Sequence, residues 1–348
     1  MKKKLASILV CPICKSEKLK INSFKEKSKD IIDGLISCNS CNNVFPIVNS
    51  IPRMLPSSMR DNVEFYLEYK EKIELPKEDI KQIEDFLKKK GKTKERFGFQ
   101  WKIGEKAYPN KEAIQHEVQK MIQIPDLNLL KGKLVLDAGC GNGQPASVVA
   151  KYAKNLVAID INESIDKVLE NTNNYDNVCI VQADICNLPF KDNTFDFIYS
   201  NAVLHHTPNT KKAFQRLVKL VKSSGDISIG VYWKSPKIIS RIAIANLSFI
   251  RIFTKRMPKN ILYKLCWFAV PLNKIPLINT ALIKSGILFY NPEIPTNEWT
   301  QLGQYDRLAH QYQRYHTEDE VMNWFRESGL SDIISNPEYR VCVRGHKN

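Results

Sequence analysis

The sequence of 348 residues predicts an α/β protein with a doubly wound, mostly parallel sheet, a small cysteine-containing module at its N-terminus and a helical insertion. Three observations lead to this prediction. Strand and helix patterns alternate from residue 134 onward, two Cys-x-x-Cys pairs stand within residues 1–56, and a basic, apolar stretch interrupts the alternation at 234–292. A chain of this length is sufficient for about two domains with sizeable cores.

The N-terminal module, residues 1–56, contains Cys11, Cys14, Cys38 and Cys41, with 23 residues between the two pairs. Such pairs supply four thiolates to a tetrahedral zinc ion, and this zinc would be structural because no coordination position stays open. The alternative is a redox dithiol, which normally has one pair within a thioredoxin-like pattern. The five remaining cysteines lie in apolar stretches, so the nine together favour a reduced, cytoplasmic chain over a disulfide framework.

Residues 57–130 are predicted to form a helical linker and an N-terminal lid. Between 57 and 97, apolar residues recur at helical spacing among many charges, which is typical of an exposed helix or linker. The aromatic cluster Phe97-Gly98-Phe99-Gln100-Trp101 follows, and it would either close over a ligand or anchor the linker on the sheet. A further helix is expected around His116 to Ile122.

The third segment, 131–348, has the pattern of the sheet itself. Thr317 and Glu320 have capping-box spacing, so a helix is expected from there to near Gly329. The candidate strands, which alternate with helical stretches, are Leu134–Ala138, Leu156–Asp160, Val178–Gln182, Phe195–Ser200 and Asp226–Tyr232, with two more near Asp332–Ser335 and Tyr339–Arg344.

A glycine-rich turn follows the first of these strands. Gly139, Gly141 and Gly143 stand at alternate positions after Asp137, and glycine lets the backbone turn sharply and lets a ligand approach closely. The turn resembles the dinucleotide pattern G-x-G-x-x-G/A, but Gln144 occupies the third glycine position. Because Asp137 would repel a pyrophosphate and attract the ammonium of a methionyl group, the turn favours a cationic, phosphate-free nucleoside over NAD.

Two further carboxylates follow the next two strands. Asp160 ends the second strand, where it would accept hydrogen bonds from both ribose hydroxyls. Asp184 follows the third strand, where it would accept from an adenine amine while the N–H of Ile185 meets a ring nitrogen. Any one of these residues could instead cap a helix. Together they occupy the carboxyl ends of parallel strands, where open α/β sheets bind ligands, and therefore predict a nucleoside site.

These residues, with Leu188-Pro189-Phe190, Phe195-Asp196 and Val203-Leu204-His205-His206, resemble the motif series of class I S-adenosylmethionine-dependent methyltransferases of the type 11 kind. The resemblance is close over residues 131–232. It implies a Rossmann-like, seven-stranded sheet with an antiparallel last strand, and S-adenosylmethionine as the cofactor. The cofactor contacts that it implies are Asp137, Gly139, Gly141, Gly143, Asp160, Asp184 and Ile185.

The first 56 residues are similar to the zinc-ribbon activator subunits of transfer-RNA and protein methyltransferases. The similarity runs from Leu9-Val10-Cys11-Pro12-Ile13-Cys14 through Cys41 to the Phe45-Pro46-Ile47 and Ile51-Pro52 segments. In that family the ribbon stabilises a separate catalytic subunit. The resemblance therefore implies a scaffolding role for the module, fused here to its catalytic partner.

The loop after the fourth strand would face the transferred methyl group. His205 and His206 are candidate general bases because histidine titrates near neutral pH, and Asn201 is a candidate contact to the methionyl group or the acceptor. The alternative is that the histidines cap or pack, and adjacent positions cannot both point inward from one helix face. A polar–aromatic cluster would either bind the acceptor or bond internally; its members are Tyr305, Asp306, His310, Tyr312, Arg314 and Tyr315.

A helical insertion is predicted over 234–300. Its part 234–292 contains ten Lys or Arg residues and no Asp or Glu, so it supplies ten of the fifteen net positive charges. Pro258, Pro271 and Pro276 are expected to divide it into short helices. One interpretation is a lid that docks on an anionic membrane or grips a phosphorylated, lipid-linked acceptor, and the other is a helical cap whose cations are merely solvated.

The predicted function is a methyltransferase that acts on a small-molecule, lipid-linked or sugar metabolite. The first alternative is a ribosomal- or transfer-RNA methyltransferase, which the ribbon and the net charge of +15 favour. We rank RNA lower because the cations are mixed with large apolar residues. The second alternative, a non-catalytic nucleoside-binding module, conflicts with the intact cofactor residues. Since no apolar run reaches about 18 residues, the expected location is cytoplasmic, with a peripheral membrane contact.

Overall fold

A computed structural model describes residues 1–28, 30–56, 62–69, 71–73, 111–162, 165–289, 296–336 and 341–348. Within the predicted linker at 57–97, only 62–69 and 71–73 are therefore described. The aromatic cluster from Phe97 to Trp101 lies outside the described residues, and its role stays a prediction. The helix expected around His116 is present as part of a longer helix, Lys111–Ile122.

The described strands form one eleven-stranded sheet. In chain order they are β1 (Leu19–Lys27), β2 (Asp30–Cys38), β3 (Val44–Val48), β4 (Ile51–Met54), β5 (Leu134–Ala138), β6 (Asn155–Asp160), β7 (Val178–Ala183), β8 (Phe195–Asn201), β9 (Val221–Val231), β10 (Leu330–Asn336) and β11 (Val341–Lys347). Across the sheet their order is β1-β2-β3-β4-β7-β6-β5-β8-β9-β11-β10.

The seven strands β5 to β11 confirm the predicted fold class. The pairs β7–β6, β6–β5, β5–β8 and β8–β9 are parallel, whereas β11 is antiparallel to both of its neighbours, β9 and β10. β5 and β7 are apolar and buried along nearly their whole length, which is typical of parallel strands covered on both faces. Two separate hydrophobic clusters fill the two faces of the sheet.

The described helices cover this sheet and build the insertion. Pro258 caps the helix Lys259–Cys266 and Pro276 is the first residue of the helix Pro276–Lys284, as expected, whereas Pro271 lies inside the short helix Ala269–Asn273. The helices are α1 (Val63–Glu68), α2 (Lys111–Ile122), α3 (Gln144–Val149), α4 (Ile165–Asn171), α5 (Thr210–Leu220), α6 (Ile238–Thr254), α7 (Lys259–Cys266), α8 (Ala269–Asn273), α9 (Pro276–Lys284), α10 (Asn297–Ala309) and α11 (Glu318–Glu327).

The N-terminal module is continuous with the main sheet. Its last strand, β4, pairs in parallel with β7 through Arg53 opposite Gln182 and Met54 opposite Ala183. β4 therefore covers the edge of β7, which would otherwise be exposed. Exposed strand edges invite unwanted pairing with other chains. Leu5 and Leu9 are buried in the same hydrophobic cluster as core strands β5 to β8. The module is thus built into the core, which the sequence did not reveal.

In the insertion between β9 and α11, the helix α10 is linked to the end of β9 by a hydrogen bond from the Tyr232 hydroxyl to Asp306. The apolar interior of the insertion consists of side chains from α6, α7 and α10, and it is distinct from the two clusters of the sheet. Within the residues that the structure describes, none of the helices is both long enough and apolar enough to cross a membrane.

Candidate active site

A cavity of about 680 Å³ opens at the carboxyl ends of the central parallel strands. Five of the predicted cofactor residues line it: Asp137, Gly139, Asp160, Asp184 and Ile185. They come from the ends of β5, β6 and β7, which are neighbours in the sheet. The structure therefore brings together residues up to 48 positions apart, at the edge where open α/β sheets bind ligands.

The glycine-rich turn has the backbone that glycine permits. Gly139, Gly141 and Gly143 have φ angles of +100°, +58° and +84°, in the region that other residues rarely adopt. A Cβ on Gly139 would lie 2.3 Å from a methyl carbon of Val203, and one on Gly143 would lie 2.8 Å from Val168. Gly141 and Gly143 do not line the cavity themselves, and they shape the turn behind it.

Asp137 is a buried carboxylate and Asp160 is a half-buried one, and both line the cavity. Burial raises the pKa of Asp137 to about 7; a hydrogen bond from the Tyr199 hydroxyl at 2.7 Å opposes the rise, and the charge of Asp160 adds to it. Burial also raises the pKa of Asp160, against hydrogen bonds from the backbone N–H groups of Asn162 and Gly141. Two carboxylates with raised pKa at one site would be stabilised by a cationic ligand.

Asp184 has a visible structural use as well. One carboxylate oxygen accepts from the Cys186 N–H at 2.8 Å, and the other accepts from the Asn187 side-chain amide at 3.1 Å. This is the capping role that the sequence left open. A carboxylate has about four acceptor positions, so both contacts are compatible with a ligand contact on the cavity side.

The donor set fits a phosphate-free, cationic nucleoside. Among the described residues that line the cavity, Arg307 is the only Lys or Arg, and its guanidinium donates to the carbonyl oxygens of Leu288 and Gly286. A pyrophosphate would therefore meet several acidic side chains and a single cation, Arg307, whose guanidinium is already bonded to backbone carbonyls. The glycine-rich turn, the two carboxylates and the lining of the cavity therefore agree with the cationic, phosphate-free nucleoside that the sequence predicts.

The two adjacent histidines have different environments. His206 lines the cavity, and its Nδ1 lies 2.8 Å from the Tyr312 carbonyl oxygen, so Nδ1 carries the hydrogen and Nε2 carries the lone pair. Burial, and after it the charge of His310, lowers the pKa of His206 to about 3. His205 is fully buried away from the cavity, and its ring stacks on Tyr232 at 3.8 Å.

Asp306 on α10 is held by two side chains, one that follows β9 and one that follows α10. The Tyr232 hydroxyl donates to one of its oxygens, and His310 Nε2 lies 3.0 Å from the other. Burial raises the pKa of Asp306, but the hydrogen bond and charge of His310 outweigh it and hold the pKa well below its usual range. Ligand atoms of His206, Asp306 and His310 lie within 4.8 Å of one another. The Asp306–His310 hydrogen bond joins two of these three residues directly.

The remaining wall of the cavity is apolar and aromatic. Asn201, a predicted site residue, lies at the junction between the carboxylate end and this wall. The sequence did not identify Tyr199, although register could have found it, because Tyr199 lies directly opposite Asp137 across the β5–β8 pair. It also did not identify the aromatic and apolar lining residues, among which are Met121, Tyr232, Trp233, Phe289, Trp299 and Leu302.

The four cysteines of the N-terminal module lie together. Their sulfur atoms all lie within 4.8 Å of one another, with Cys11 to Cys41 at 3.6 Å and Cys14 to Cys38 at 3.5 Å. A tetrahedral site with Zn–S bonds of about 2.3 Å requires sulfurs about 3.8 Å apart. The Asn43 side-chain amide donates to the Cys41 sulfur at 3.2 Å, an outer contact typical of such sites. The residues present therefore fit a structural zinc ion.

Comparison with known families agrees with both halves of this description. Residues 136–229 match the family model described as a methyltransferase domain. The chain carries a methyltransferase domain. Residues 2–50 match the model described as Trm112p-like protein, so the predicted zinc-ribbon family is confirmed for the N-terminal module. S-adenosylmethionine and zinc, the two predicted cofactors, agree with these two assignments.

Two curated relatives each match about a third of the chain. A sterol 24-C-methyltransferase of Schizosaccharomyces pombe is 31% identical over 114 residues, covering 30% of this chain and 29% of the relative. A demethylmenaquinone methyltransferase of Staphylococcus aureus is 30% identical over 115 residues, covering 32% and 48%. The chain thus spans less than half of each of these relatives. A solved putative S-adenosylmethionine-dependent methyltransferase from Methanococcus maripaludis has a TM-score of 0.43 and 17% identity, covering 75% of this chain and 95% of that one.

Proposed function

We propose that the protein transfers a methyl group from S-adenosylmethionine to an apolar small-molecule or lipid-linked acceptor. The observation that carries this proposal is one cavity lined by the buried carboxylate of Asp137, the half-buried carboxylate of Asp160 and a group of aromatic side chains. The carboxylates suit a cationic nucleoside, and the aromatic side chains suit a largely apolar partner.

Each predicted cofactor residue has a task in this proposal. Asp137 pairs with the methionyl ammonium, and the Tyr199 hydroxyl holds the carboxylate in place. Asp160 accepts from the ribose hydroxyls while the Gly141 N–H fixes its orientation. Asp184 and Ile185 contact the adenine edge. The left-handed glycine turn keeps side chains away from the methionyl end.

The chemistry needs alignment and exclusion of water more than a strong base. When bound, S-adenosylmethionine supplies a methyl group already activated by its sulfonium. The protein's part is to hold the nucleophile in line with that methyl group and to keep the site dry. Because His206 is neutral with its lone pair on Nε2, it accepts a hydrogen bond from an acceptor O–H or N–H and orients the attacking atom.

The acceptor class is inferred from the cavity wall. Large apolar side chains of the insertion and α10 line it, whereas an RNA site needs cations for the phosphates. Arg307, the one described lining cation, is already bonded to backbone carbonyls. The relatives' names, a sterol and a demethylmenaquinone methyltransferase, describe apolar acceptors for those proteins, which supports the same class here.

The deciding experiment follows labelled methyl groups into separated fractions. The purified full chain is incubated with labelled S-adenosylmethionine and with lipid, aqueous small-molecule or RNA extracts. We expect incorporation into the lipid extract, which contains both lipid-linked and apolar small-molecule acceptors. Incorporation into RNA alone would overturn the acceptor class, and tight NAD binding without S-adenosylmethionine binding would overturn the cofactor.

Replacement of Asp160 tests the ribose contact. Asp160→Asn keeps an acceptor for the Gly141 N–H but removes the charge, and we expect the affinity for S-adenosylmethionine to fall about 10- to 100-fold, equivalent to about 1.5–3 kcal/mol. Titration calorimetry measures this loss. Asp166→Asn is the control, because Asp166 pairs with Arg53 outside the cavity. Equal affinity of Asp160→Asn and the parent protein would exclude Asp160 as the ribose acceptor.

Replacement of His206 tests the orientation of the nucleophile. His206→Phe keeps the ring volume and removes the Nε2 acceptor, so we expect the methyl-transfer rate to fall about tenfold or more while the affinity for S-adenosylmethionine stays unchanged. Single-turnover rates and calorimetry separate the two effects. An unchanged rate would reduce His206 to a packing residue and would leave the acceptor without a polar contact from this loop.

A further inference from the structure

The outer surface of the insertion, residues 234–289, is unusually apolar. Fourteen of the twenty exposed large hydrophobic side chains in the described chain lie between 238 and 287. The exposed fraction reaches 87% for Leu277 and 72% for Ile238, and it is near 60% for Phe249, Phe253 and Phe268. A concentration of exposed apolar side chains on this scale usually marks an interaction site.

Six of these fourteen side chains belong to α6, the longest described helix, and they lie on one side of it. On α6, Ile238, Ile242, Phe249 and Phe253 recur at helical spacing and face outward. The opposite side of α6 contributes Leu247 to the insertion's own interior. A helix that packs on one side ordinarily has polar residues on its outer side. The outer side of α6 is apolar as well, although its packing within this protein does not require that.

The charge of the same surface has one sign. The stretch 234–292 contains ten Lys or Arg residues and no acid, and seven of the ten are exposed in the described part. Arg241, Lys264, Lys274 and Lys284 lie between the exposed apolar residues in the sequence. Cations interleaved with aromatic and aliphatic side chains are complementary to an anionic lipid surface, where apolar groups insert between the chains and cations meet phosphates.

The surface adjoins the cavity. Trp233 and Phe289, which flank the insertion at its two ends, both line the cavity, and Trp233 is about half exposed. The Arg307 guanidinium, inside the cavity wall, holds the carbonyl oxygens of Gly286 and Leu288. A partner bound on the outside of the insertion therefore lies next to the entrance of the acceptor end.

We propose that the outer surface of the insertion docks the protein reversibly on an anionic lipid bilayer. The bilayer is chosen over RNA because ten of these fourteen exposed side chains are Ile or Leu and only four are aromatic, whereas an RNA groove uses aromatic stacking with cations and has little use for exposed Ile and Leu. It is chosen over a second copy of the chain because two uniformly basic surfaces repel each other. Docking places the cavity entrance at the lipid surface; only this last consequence rests on the proposed function.

Co-sedimentation of the full chain with vesicles tests the proposal without any turnover. The probes are phosphatidylcholine vesicles with and without phosphatidylserine, each at low and at high salt. We expect binding to the anionic vesicles to be at least about tenfold tighter than to the neutral ones, and to weaken at high salt. Negligible binding to both vesicle types would overturn the proposal, whatever the outcome of the methyl-transfer assay.

Paired variants identify the surface. Phe249→Ser with Phe253→Ser removes two exposed rings, and Lys264→Glu with Lys274→Glu reverses two exposed charges. Each pair is expected to lower vesicle affinity about tenfold or more, while Leu129→Ser, at an equally exposed position outside the insertion, leaves it unchanged. Binding that survives both pairs, or salt-sensitive binding to RNA with none to vesicles, overturns the assignment. The assignment is also overturned if the parent protein binds no vesicles but sediments as a dimer, and if the variant with Phe249→Ser and Phe253→Ser sediments as a monomer.

Discussion

Removal of the zinc ion is expected to unfold the N-terminal module and to weaken the methyltransferase sheet with it. Structural zinc contributes about 10–16 kcal/mol to small ribbons, which is as much as the whole stability of a typical domain. Cys38→Ser removes one of the four thiolates that lie together. We expect one equivalent of zinc in the parent protein, none in the variant, and a melting temperature lowered by about 10 °C or more.

The effect should reach the main sheet because the two parts share a core. Leu9 and Cys11 belong to the same hydrophobic cluster as Ile159 and Val181, and β4 pairs with β7. Elemental analysis and thermal unfolding measure the two quantities. The matched control is Cys186→Ser, a half-buried cysteine outside the module that should keep both zinc and stability. Freshly purified, reduced protein without zinc, or a Cys38→Ser variant that melts like the parent, would contradict this prediction.

The core strands and the cofactor end could be predicted because both depend on local patterns. β5 begins and ends at the predicted residues, and Thr317 accepts from the Glu320 N–H at the start of α11, as the capping-box spacing indicated. Once strands are parallel, their carboxyl ends meet at one edge, so Asp137 and Asp160 had to approach each other. A short motif and a topology rule were sufficient for this half of the cavity.

The acceptor end could be predicted only in part, since it is assembled from distant segments without a motif. Asp306, Tyr312 and Tyr315 of the polar–aromatic cluster do line the cavity, whereas nothing in the sequence pointed to Trp299 or Leu302 on α10. The pairing of β4 with β7 is equally hidden: it consists of two residue pairs between a four-residue strand that contains Pro52 and a strand more than 120 positions away. Nothing in either strand specifies that partner.

Asp137 should make the binding of S-adenosylmethionine depend on pH. The raised pKa of about 7 means that the ligand-free site holds a neutral carboxyl group in more acidic solution. The methionyl ammonium pairs with the carboxylate form, so binding below about pH 7 must release a proton, and affinity should fall by up to about tenfold per pH unit. Titration calorimetry between about pH 8 and about pH 5, in buffers of different ionisation enthalpy, measures both the affinity and the proton released.

The variant Asp137→Asn separates charge from shape. Its amide oxygen still accepts from the Tyr199 hydroxyl, but the ammonium loses its partner, and we expect about 3 kcal/mol, or about a hundredfold, weaker binding near pH 8. Because a carboxyl group with a raised pKa destabilises the fold once it ionises, the same variant should melt at or above the parent temperature near neutral pH. Asp196→Asn is the control, since Asp196 accepts from the Leu134 N–H and from Lys222 away from the cavity. A variant that binds S-adenosylmethionine as tightly as the parent, or an affinity that is flat from about pH 8 to about pH 5, would show that the ammonium is held elsewhere.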